Sequence, residues 1–172
     1  MPVIQNPITE GNLTFIFPPR AQASKYDDWK FYRQKFNSAF GGSKAVDIVF
    51  ADSDAAWLIE VKDFRQHPRT KPQQLGEEVA HKVRDSLAGL AAAAANANDQ
   101  DEKRLAHKLL QKRRWRVVLH LEQPAKTSRL RPKAIDPAHV LKSMKKLLKP
   151  IDAHPHVVDR NNLHRDMSWT VI

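Results

Sequence analysis

The stretch VDIVFADSDAAWLIEVKD, residues 46–63, decides how this chain folds. Two almost continuously apolar runs flank a short polar turn, a pattern that predicts a β-hairpin whose strands are buried on both faces. Asp47, Glu60 and Lys62 lie within these runs. Buried charges are costly unless they are paired or bind a metal ion, so we expect these three residues to act together.

The hairpin geometry predicts that the three charged side chains converge. Side chains alternate across a strand, so Glu60 and Lys62 share one face. Folding about Ser53 places Asp47 opposite residue 59 or 60. Carboxylate oxygens with a backbone carbonyl suit Mg²⁺ (or Mn²⁺), and a lysine beside the ion can orient or deprotonate a water molecule. The alternative is an ordinary Glu60–Lys62 pair at a strand end, facing solvent.

Asp47, followed by the triplet Glu60-Val61-Lys62 on the next strand, resembles the Asp…(Asp/Glu)-x-Lys signature of the PD-(D/E)xK, or restriction-endonuclease-like, nuclease superfamily. The resemblance covers mainly residues 44–65. It implies an α/β fold with an αβββαβ core, in which helices flank both faces of a central mixed sheet. It also implies that Asp47, Glu60 and the Val61 carbonyl bind the metal ion, and that Lys62 positions or activates water.

The function that this resemblance implies is Mg²⁺-dependent hydrolysis of phosphodiester bonds, chiefly in DNA, in a defence, recombination or repair system. Asp47, Glu60 and Lys62 would be the catalytic residues of this endonuclease. Two alternatives stay open: a basic nucleic-acid-binding module without catalysis, and a subunit of a larger nucleoprotein assembly. A homodimer is a further expectation, because two copies facing one duplex would permit double-strand cuts.

Accessory site residues are expected on two helices. In the superfamily the first helix often carries a further acid, here Asp28 (or Asp27 or Glu10), and a later helix can serve the site, here through Gln74 and Glu78. Two ordinary explanations compete. Acids at a helix start complement the helix dipole, and acid–lysine pairs four residues apart stabilise surface helices.

Composition fits one globular domain. The chain has 172 residues, 41% of them hydrophobic and 28% charged. It has no cysteine, which excludes disulfides and thiolate zinc sites and is compatible with a reducing cytoplasm. We expect no membrane segment and no secretion signal, because no long apolar run is present.

Positive charge is concentrated in the second half of the chain. Residues 103–149 carry fifteen Lys and Arg against two acidic residues, whereas the chain as a whole has a net charge of +10. This distribution predicts contact with a polyanion, a nucleic acid and chiefly DNA. The residues expected to contact it lie after the hairpin and in a later loop: Arg65, Arg69, Lys71, Lys126, Arg129, Arg131 and Lys133. An ordinary basic surface is the alternative.

Residue patterns predict the remaining elements. Residues 1–25 are expected to be irregular or edge structure with one short strand at 13–17, residues 26–122 to form the core, and residues 123–172 to form a basic loop, a helix and C-terminal strands. Helices are predicted at 26–40, with Ser24 as its N-cap, and at 73–96, 101–112 and 136–149. Strands are predicted at 115–121, 156–159 and 169–172.

Overall fold

The fold is described by a computed structural model over residues 3–71, 73–124 and 135–172. Its strands and helices, in chain order, are β1 (Ile8–Glu10), β2 (Leu13–Ile16), β3 (Gln22–Lys25), β4 (Ile48–Ala51), β5 (Ala55–Asp63), α1 (Leu75–Asn96), α2 (Gln100–Leu110), β6 (Arg114–Glu122), α3 (Pro137–Leu148), β7 (His156–Val158) and β8 (Thr170–Val171). Short helical turns at Tyr26–Asp28, Tyr32–Phe36 and Ala39–Gly41 lie between β3 and β4.

A five-stranded mixed sheet with the order β3-β4-β5-β6-β7 forms the centre. Strands β3, β4 and β5 are antiparallel, whereas β6 runs parallel to β5 and β7 runs parallel to β6. Helices α1 and α2 connect β5 to β6, because two parallel strands need a long crossover connection. The predicted α/β class, with a central mixed sheet and flanking helices, is confirmed.

The two faces of this sheet are covered differently. One core contains apolar residues of α1, α2 and α3. The other contains residues of a small antiparallel sheet, β1-β2-β8, together with Trp169. The expectation of helices on both faces is therefore wrong. The apolar residues of the chain's two ends, among them Phe15 and Phe17, supply the second layer instead.

The predicted hairpin is confirmed. Strands β4 and β5 pair with Ile48 opposite Ile59, which places Asp47, just before β4, opposite Glu60. All four residues of β4 and the first seven of β5 are buried. The continuous apolar runs thus correspond to strands enclosed on both faces.

The predicted helix over residues 26–40 is wrong. Ser24, the expected N-cap, lies in β3, where its hydroxyl accepts a hydrogen bond from Trp29 Nε1 at 2.7 Å. Trp29 itself has an extended backbone, with ψ of 136°. The Glu102 carboxylate then accepts the backbone N–H groups of Lys30 and Phe31, at 2.7 and 3.0 Å. Tertiary hydrogen bonds therefore divide the segment into short turns.

The later elements lie close to their predicted positions. Helices α1 and α2 and strand β6 match within two residues at each end, and α3 begins after Asp136, whose carboxylate caps the helix by accepting the N–H of Ala138 at 2.9 Å. Leu147 belongs to the apolar stripe from which the sequence predicts the core-facing side of this helix, but it is 42% exposed. The described part of residues 1–25, a segment expected to be irregular or edge structure, contains three strands, of which β1 and β3 lie at sheet edges. Most of the loop predicted at 123–135 lies outside the described residues.

Candidate functional site

A cluster of buried charges lies where the C-terminal half of β5 meets α1. Glu60, on β5, is fully buried, and its Oε1 accepts hydrogen bonds from Lys62 Nζ at 2.5 Å and Lys82 Nζ at 2.6 Å. Lys82 extends from α1, and its Nζ also lies 3.6 Å from Asp47 Oδ1. One ammonium group therefore bridges the two carboxylates that the hairpin brings together.

The backbone of β5 holds Asp47 in place. Asp47 Oδ2 accepts the Val61 N–H at 2.6 Å, and the Tyr26 N–H donates to the Asp47 carbonyl at 2.9 Å. Asp47 thus links its own segment to β5 on one side and to the turn after β3 on the other. Its carboxylate faces the cluster with one oxygen already bonded.

Glu78 forms the second half of the cluster. It lies on α1 one turn before Lys82 and is 1% exposed. Its carboxylate oxygens lie 2.7 Å from Arg69 Nη2, 3.4 Å from Lys62 Nζ and 3.3 Å from Lys71 Nζ. We call the seven residues with these contacts the buried charge cluster: Asp47, Glu60, Lys62, Arg69, Lys71, Glu78 and Lys82.

The cluster shifts the acidity of its members in opposite directions. Burial and the neighbouring Asp47 carboxylate raise the pKa of Glu60 to about 7. Burial also opposes ionisation of Glu78, but Arg69 and the lysines outweigh it and lower the pKa of Glu78 to about 2. Burial disfavours the charge on Lys82, yet Glu60 and Asp47 raise the pKa of Lys82 above its usual value. Lys82 therefore remains an ammonium group at neutral pH.

An open cleft of about 470 Å³ lies over the cluster. Its floor includes Asp47, Glu78 and Lys82, whereas Lys44 and Lys71 contribute further positive charge. The other lining residues are Asp27, Tyr32, Arg33, Asn37, Ser43 and Ala45. The cleft is therefore polar, of a size that suits a small ligand, and bordered by cations.

The structure brings most of the predicted site residues together. Asp47, Glu60, Lys62 and Glu78 all belong to the cluster, so Glu60 does not form the solvent-facing pair considered as the alternative. Gln74 is exposed at the start of α1, where its backbone carbonyl accepts the Glu78 N–H at 3.0 Å, and no hydrogen bond joins its side chain to the cluster among the described residues.

Asp28 lies elsewhere, in a pocket beside Trp29, where it pairs with Arg33. Asp27 lines the cleft instead, and burial together with Asp47 raises the pKa of Asp27 to about 6. Arg69 and Lys71 are predicted from the sequence as nucleic-acid contacts, and their pairing with Glu78 is not; Lys82 is expected beside Glu78 on α1 but not between Asp47 and Glu60. The signal for Lys82 was its position one helical turn after Glu78, which also fits an ordinary surface pair.

The predicted Mg²⁺ ion would have Asp47, Glu60 and the Val61 carbonyl as ligands. Glu60 Oε2 is buried and has no hydrogen-bond partner among the described residues, so one anionic oxygen is available. The other Glu60 oxygen is already bonded to Lys62 and Lys82, with which the ion would compete. Within residues 3–71, 73–124 and 135–172, no group of three or more His, Cys, Asp or Glu residues is arranged to hold a metal ion. The Mg²⁺ site stays a prediction.

The residues predicted to contact nucleic acid are differently placed. Arg65 forms a two-pronged ion pair with Asp63, at 2.8 and 2.6 Å, and Arg69 points into the cluster. Lys71 is 65% exposed, although its Nζ lies 3.3 Å from Glu78 in the cluster. Lys126, Arg129, Arg131 and Lys133 lie outside the described residues.

A basic stripe runs along α3. Lys142, Lys145, Lys146 and Lys149 are spaced at three- and four-residue steps, so they lie on one helix face, and all four are exposed. None of them has an ion-pair partner in the part of the chain that the structure describes. The opposite face of α3 packs Val140, Met144 and Leu148 into the core. We call these four lysines the α3 stripe.

The comparisons with known proteins give one similarity that bears on function. A cysteine–tRNA ligase of Neisseria meningitidis serogroup A / serotype 4A is 34% identical to this chain over 170 aligned residues. The alignment covers 81% of this chain and 24% of the ligase, so the chain spans about a quarter of that relative's length. No protein-family profile and no solved structure matches the chain.

This similarity overturns the predicted function. The prediction of a Mg²⁺-dependent endonuclease, a hydrolase that acts on DNA, is wrong. The similar protein is named as a ligase that acts with tRNA. The acid-x-Lys triplet that suggested cleavage is short. In the structure its glutamate is neutralised by two lysines.

The helices that the structure describes include none with the length and apolar character needed to span a membrane.

Proposed function

We propose that this chain is an RNA-binding region that serves a tRNA ligase, holding tRNA mainly through its phosphate backbone. The observation that carries the proposal is the 34% identity, over most of the chain, to part of a cysteine–tRNA ligase. A region of such a protein with a net charge of +10 has an evident polyanionic partner in tRNA.

The α3 stripe supplies the contact surface in this proposal. Four exposed lysines without acidic partners give up little to bind phosphate, because no internal ion pair must first be broken. From Lys142 to Lys149 the chain rises about 10 Å, so the stripe can contact two or three neighbouring phosphates. Each neutralised phosphate releases counterions, which makes the affinity strongly dependent on salt.

The residues of this region favour a role in binding over catalysis of the ligation reaction. The buried charge cluster already pairs its carboxylates with ammonium and guanidinium groups, which suits a rigid scaffold. The proposal keeps the resemblance to the restriction-endonuclease-like core for the fold alone, and not for nuclease activity. Its support is the chain order β3-β4-β5-α1-β6, with the crossover helix between β5 and a parallel β6.

The test is tRNA binding measured by fluorescence anisotropy over a range of salt concentrations. A triple variant, Lys142→Gln, Lys145→Gln and Lys146→Gln, is expected to bind tRNA at least tenfold more weakly. Its slope of log affinity against log salt should be smaller by about 2, since each lost phosphate contact removes about 0.7 to 0.9.

The matched control removes the same charge from other exposed sites, through Lys30→Gln, Arg84→Gln and Arg165→Gln. These side chains are 69%, 69% and 90% exposed. The control variant is expected to bind with an affinity much closer to that of the wild type. Equal losses in both variants would show that net charge alone attracts RNA, and no measurable tRNA binding by the wild type at low salt would refute the proposed function.

A further inference from the structure

An exposed aromatic ring lies on the loop that borders the cleft. Phe40 is 99% exposed, whereas the other aromatic rings of the described residues are at least partly covered. Its neighbours along the chain, Asn37, Ser43 and Lys44, line the cleft itself. The loop therefore contributes side chains to the cleft on both sides of Phe40 in the sequence, and the Phe40 ring itself is open to solvent.

The backbone holds Phe40 in a conformation that favours glycine. Its φ and ψ are 55° and 35°, in the left-handed region, although Gly41 and Gly42 are adjacent and could have taken that position. The surrounding loop is fixed by hydrogen bonds from Gly42 N to the Ala39 carbonyl at 3.0 Å and from Tyr32 Oη to the Ser43 carbonyl at 3.0 Å. An exposed, strained phenylalanine in a well-bonded loop indicates a role in binding.

Cations accompany the ring. Lys44 is exposed and lines the cleft, and its side chain has no ion-pair partner among the described residues. Lys71, which is 65% exposed and lies 3.3 Å from Glu78, and Lys82 also line the cleft. A planar apolar surface beside separate positive charges matches the two parts of a nucleotide, the base and the phosphate.

We propose that the cleft binds one unpaired nucleotide of the RNA, with its base stacked on Phe40 and its phosphate at Lys44 and Lys71. The base must be unpaired, because a base inside a duplex already stacks on its neighbours and cannot reach a ring at a cleft rim. This inference rests on the proposed RNA-binding function and adds a second contact, specific for single-stranded segments, to the α3 stripe.

The test separates binding from folding by changing Phe40 alone. Phe40→Gly is expected to weaken the affinity for a short single-stranded RNA at least fivefold, since stacking on an aromatic ring contributes about 1–3 kcal/mol per base. Its melting temperature should be equal to that of the wild type or higher, because glycine adopts the left-handed conformation without strain. A loss of binding without a loss of stability cannot come from misfolding.

Phe40→Trp is the conservative partner variant. It is expected to keep the affinity, and RNA should quench its fluorescence more than that of the wild type, whose Trp29, Trp57 and Trp169 are each only 2% exposed and whose Trp115 is partly buried. A fully paired RNA duplex of the same charge should bind wild type and Phe40→Gly equally. Quenching by single strands but not by duplex would support stacking.

Three outcomes would overturn the inference. If Phe40→Gly binds single-stranded RNA as tightly as the wild type while the α3 stripe variant has lost affinity, the stacking contact is absent and the proposed function stands. If Phe40→Gly dissociates a dimer without changing RNA affinity, the ring docks a second copy of the chain. If the wild type binds no RNA, the inference fails together with the proposed function.

Discussion

At the scale of single residues, the buried charge cluster was predictable from its sequence motif only in part. The pairing of β4 with β5 could be predicted, and with it the convergence of Asp47 and Glu60. The identity of the neutralising groups could not be predicted. Lys82 lies on α1, 22 residues after Glu60 in the sequence. Only the packing of α1 on the sheet brings the two side chains together. The same three residue types that suggested catalysis therefore form an internal network of ion pairs.

Glu60 should make stability depend on pH. Its pKa is raised to about 7 in the folded state, so the folded protein binds this proton more tightly than the unfolded chain does. The free energy of unfolding that depends on Glu60 is therefore fully present below pH 4.5 and declines as the pH rises to about 7. Glu60→Gln should flatten the pH dependence in this window, as measured by urea denaturation at several pH values.

The control for this prediction is Glu77→Gln, which removes an exposed carboxylate from the same region of α1. It should leave the pH dependence of stability close to that of the wild type. An unchanged profile in Glu60→Gln would mean that Glu60 titrates normally in the folded protein.

Lys82→Met should destabilise the protein by about 3 kcal/mol. Methionine keeps the apolar length of the side chain, but Asp47 and Glu60 then lose the ammonium group between them, and an uncompensated buried charge is costly. Arg84→Met, on the exposed side of α1, removes a surface ion pair with Asp85 and should cost less than about 1 kcal/mol. Chemical denaturation curves of the two variants would give the comparison, and equal losses would contradict it.

At the scale of elements, regular amphipathic segments were predictable and the segment after β3 was not. The helices α1, α2 and α3 carry apolar residues at helical spacing, and α2 and α3 begin after the capping residues Asp99 and Asp136. Residues 26–40 carry a similar stripe. There, Ser24 and Glu102 provide hydrogen bonds that compete with helix formation, and Glu102 is 71 residues away from Phe31. A contact at that distance in the sequence leaves no local signal.

The close approach between α1 and this segment gives a prediction at the same scale. A Cβ at Gly89 would overlap the hydroxyl oxygen of Tyr26 and press on the ring of Phe36 at 3.2 Å. Gly89→Ala should therefore cost about 1–3 kcal/mol, although alanine favours a helix by about 1 kcal/mol. Thermal denaturation would measure the loss.

Tyr26→Phe supplies the control, because the buried Tyr26 hydroxyl has no hydrogen-bond partner among the described residues. Alone it should change stability little. Combined with Gly89→Ala it should recover much of the loss, which a double-mutant cycle would report as a favourable coupling. Additive effects of the two substitutions would show that the hydroxyl is not the obstacle.

At the scale of the whole molecule, two segments far apart in the sequence build the second core together. Strand β8 pairs with β2, and the Trp169 ring lies 5.8 Å from Phe17, 5.9 Å from Phe50 and 5.1 Å from Trp57, measured between ring centres. Residues 1–25 include Pro2, Pro7, Pro18 and Pro19, which is why irregular or edge structure is predicted there. The pairing with β8 could not be read from sequence, because each strand is too short to signal its partner.

Trp169→Ala should therefore lower the free energy of unfolding of the whole molecule, and not only that of its last residues. The expected cost is about 3–5 kcal/mol, the usual range for emptying a buried tryptophan site. Ile172→Ala, at a position that is 65% exposed, should cost much less. Intrinsic fluorescence and circular dichroism should report one common transition for Trp169→Ala, whereas separate transitions would mean that the small sheet unfolds independently.

The parallel pairing of β5 with β6 has a consequence for synthesis of the chain on the ribosome. Strand β5 emerges as a nine-residue, largely apolar strand, and its partner on one side appears only after α1 and α2 have been made. Until then its free edge can pair with the same edge of another nascent chain. Soluble yield in cells should consequently respond more strongly to substitutions that delay the crossover helices than to equally destabilising substitutions in β8.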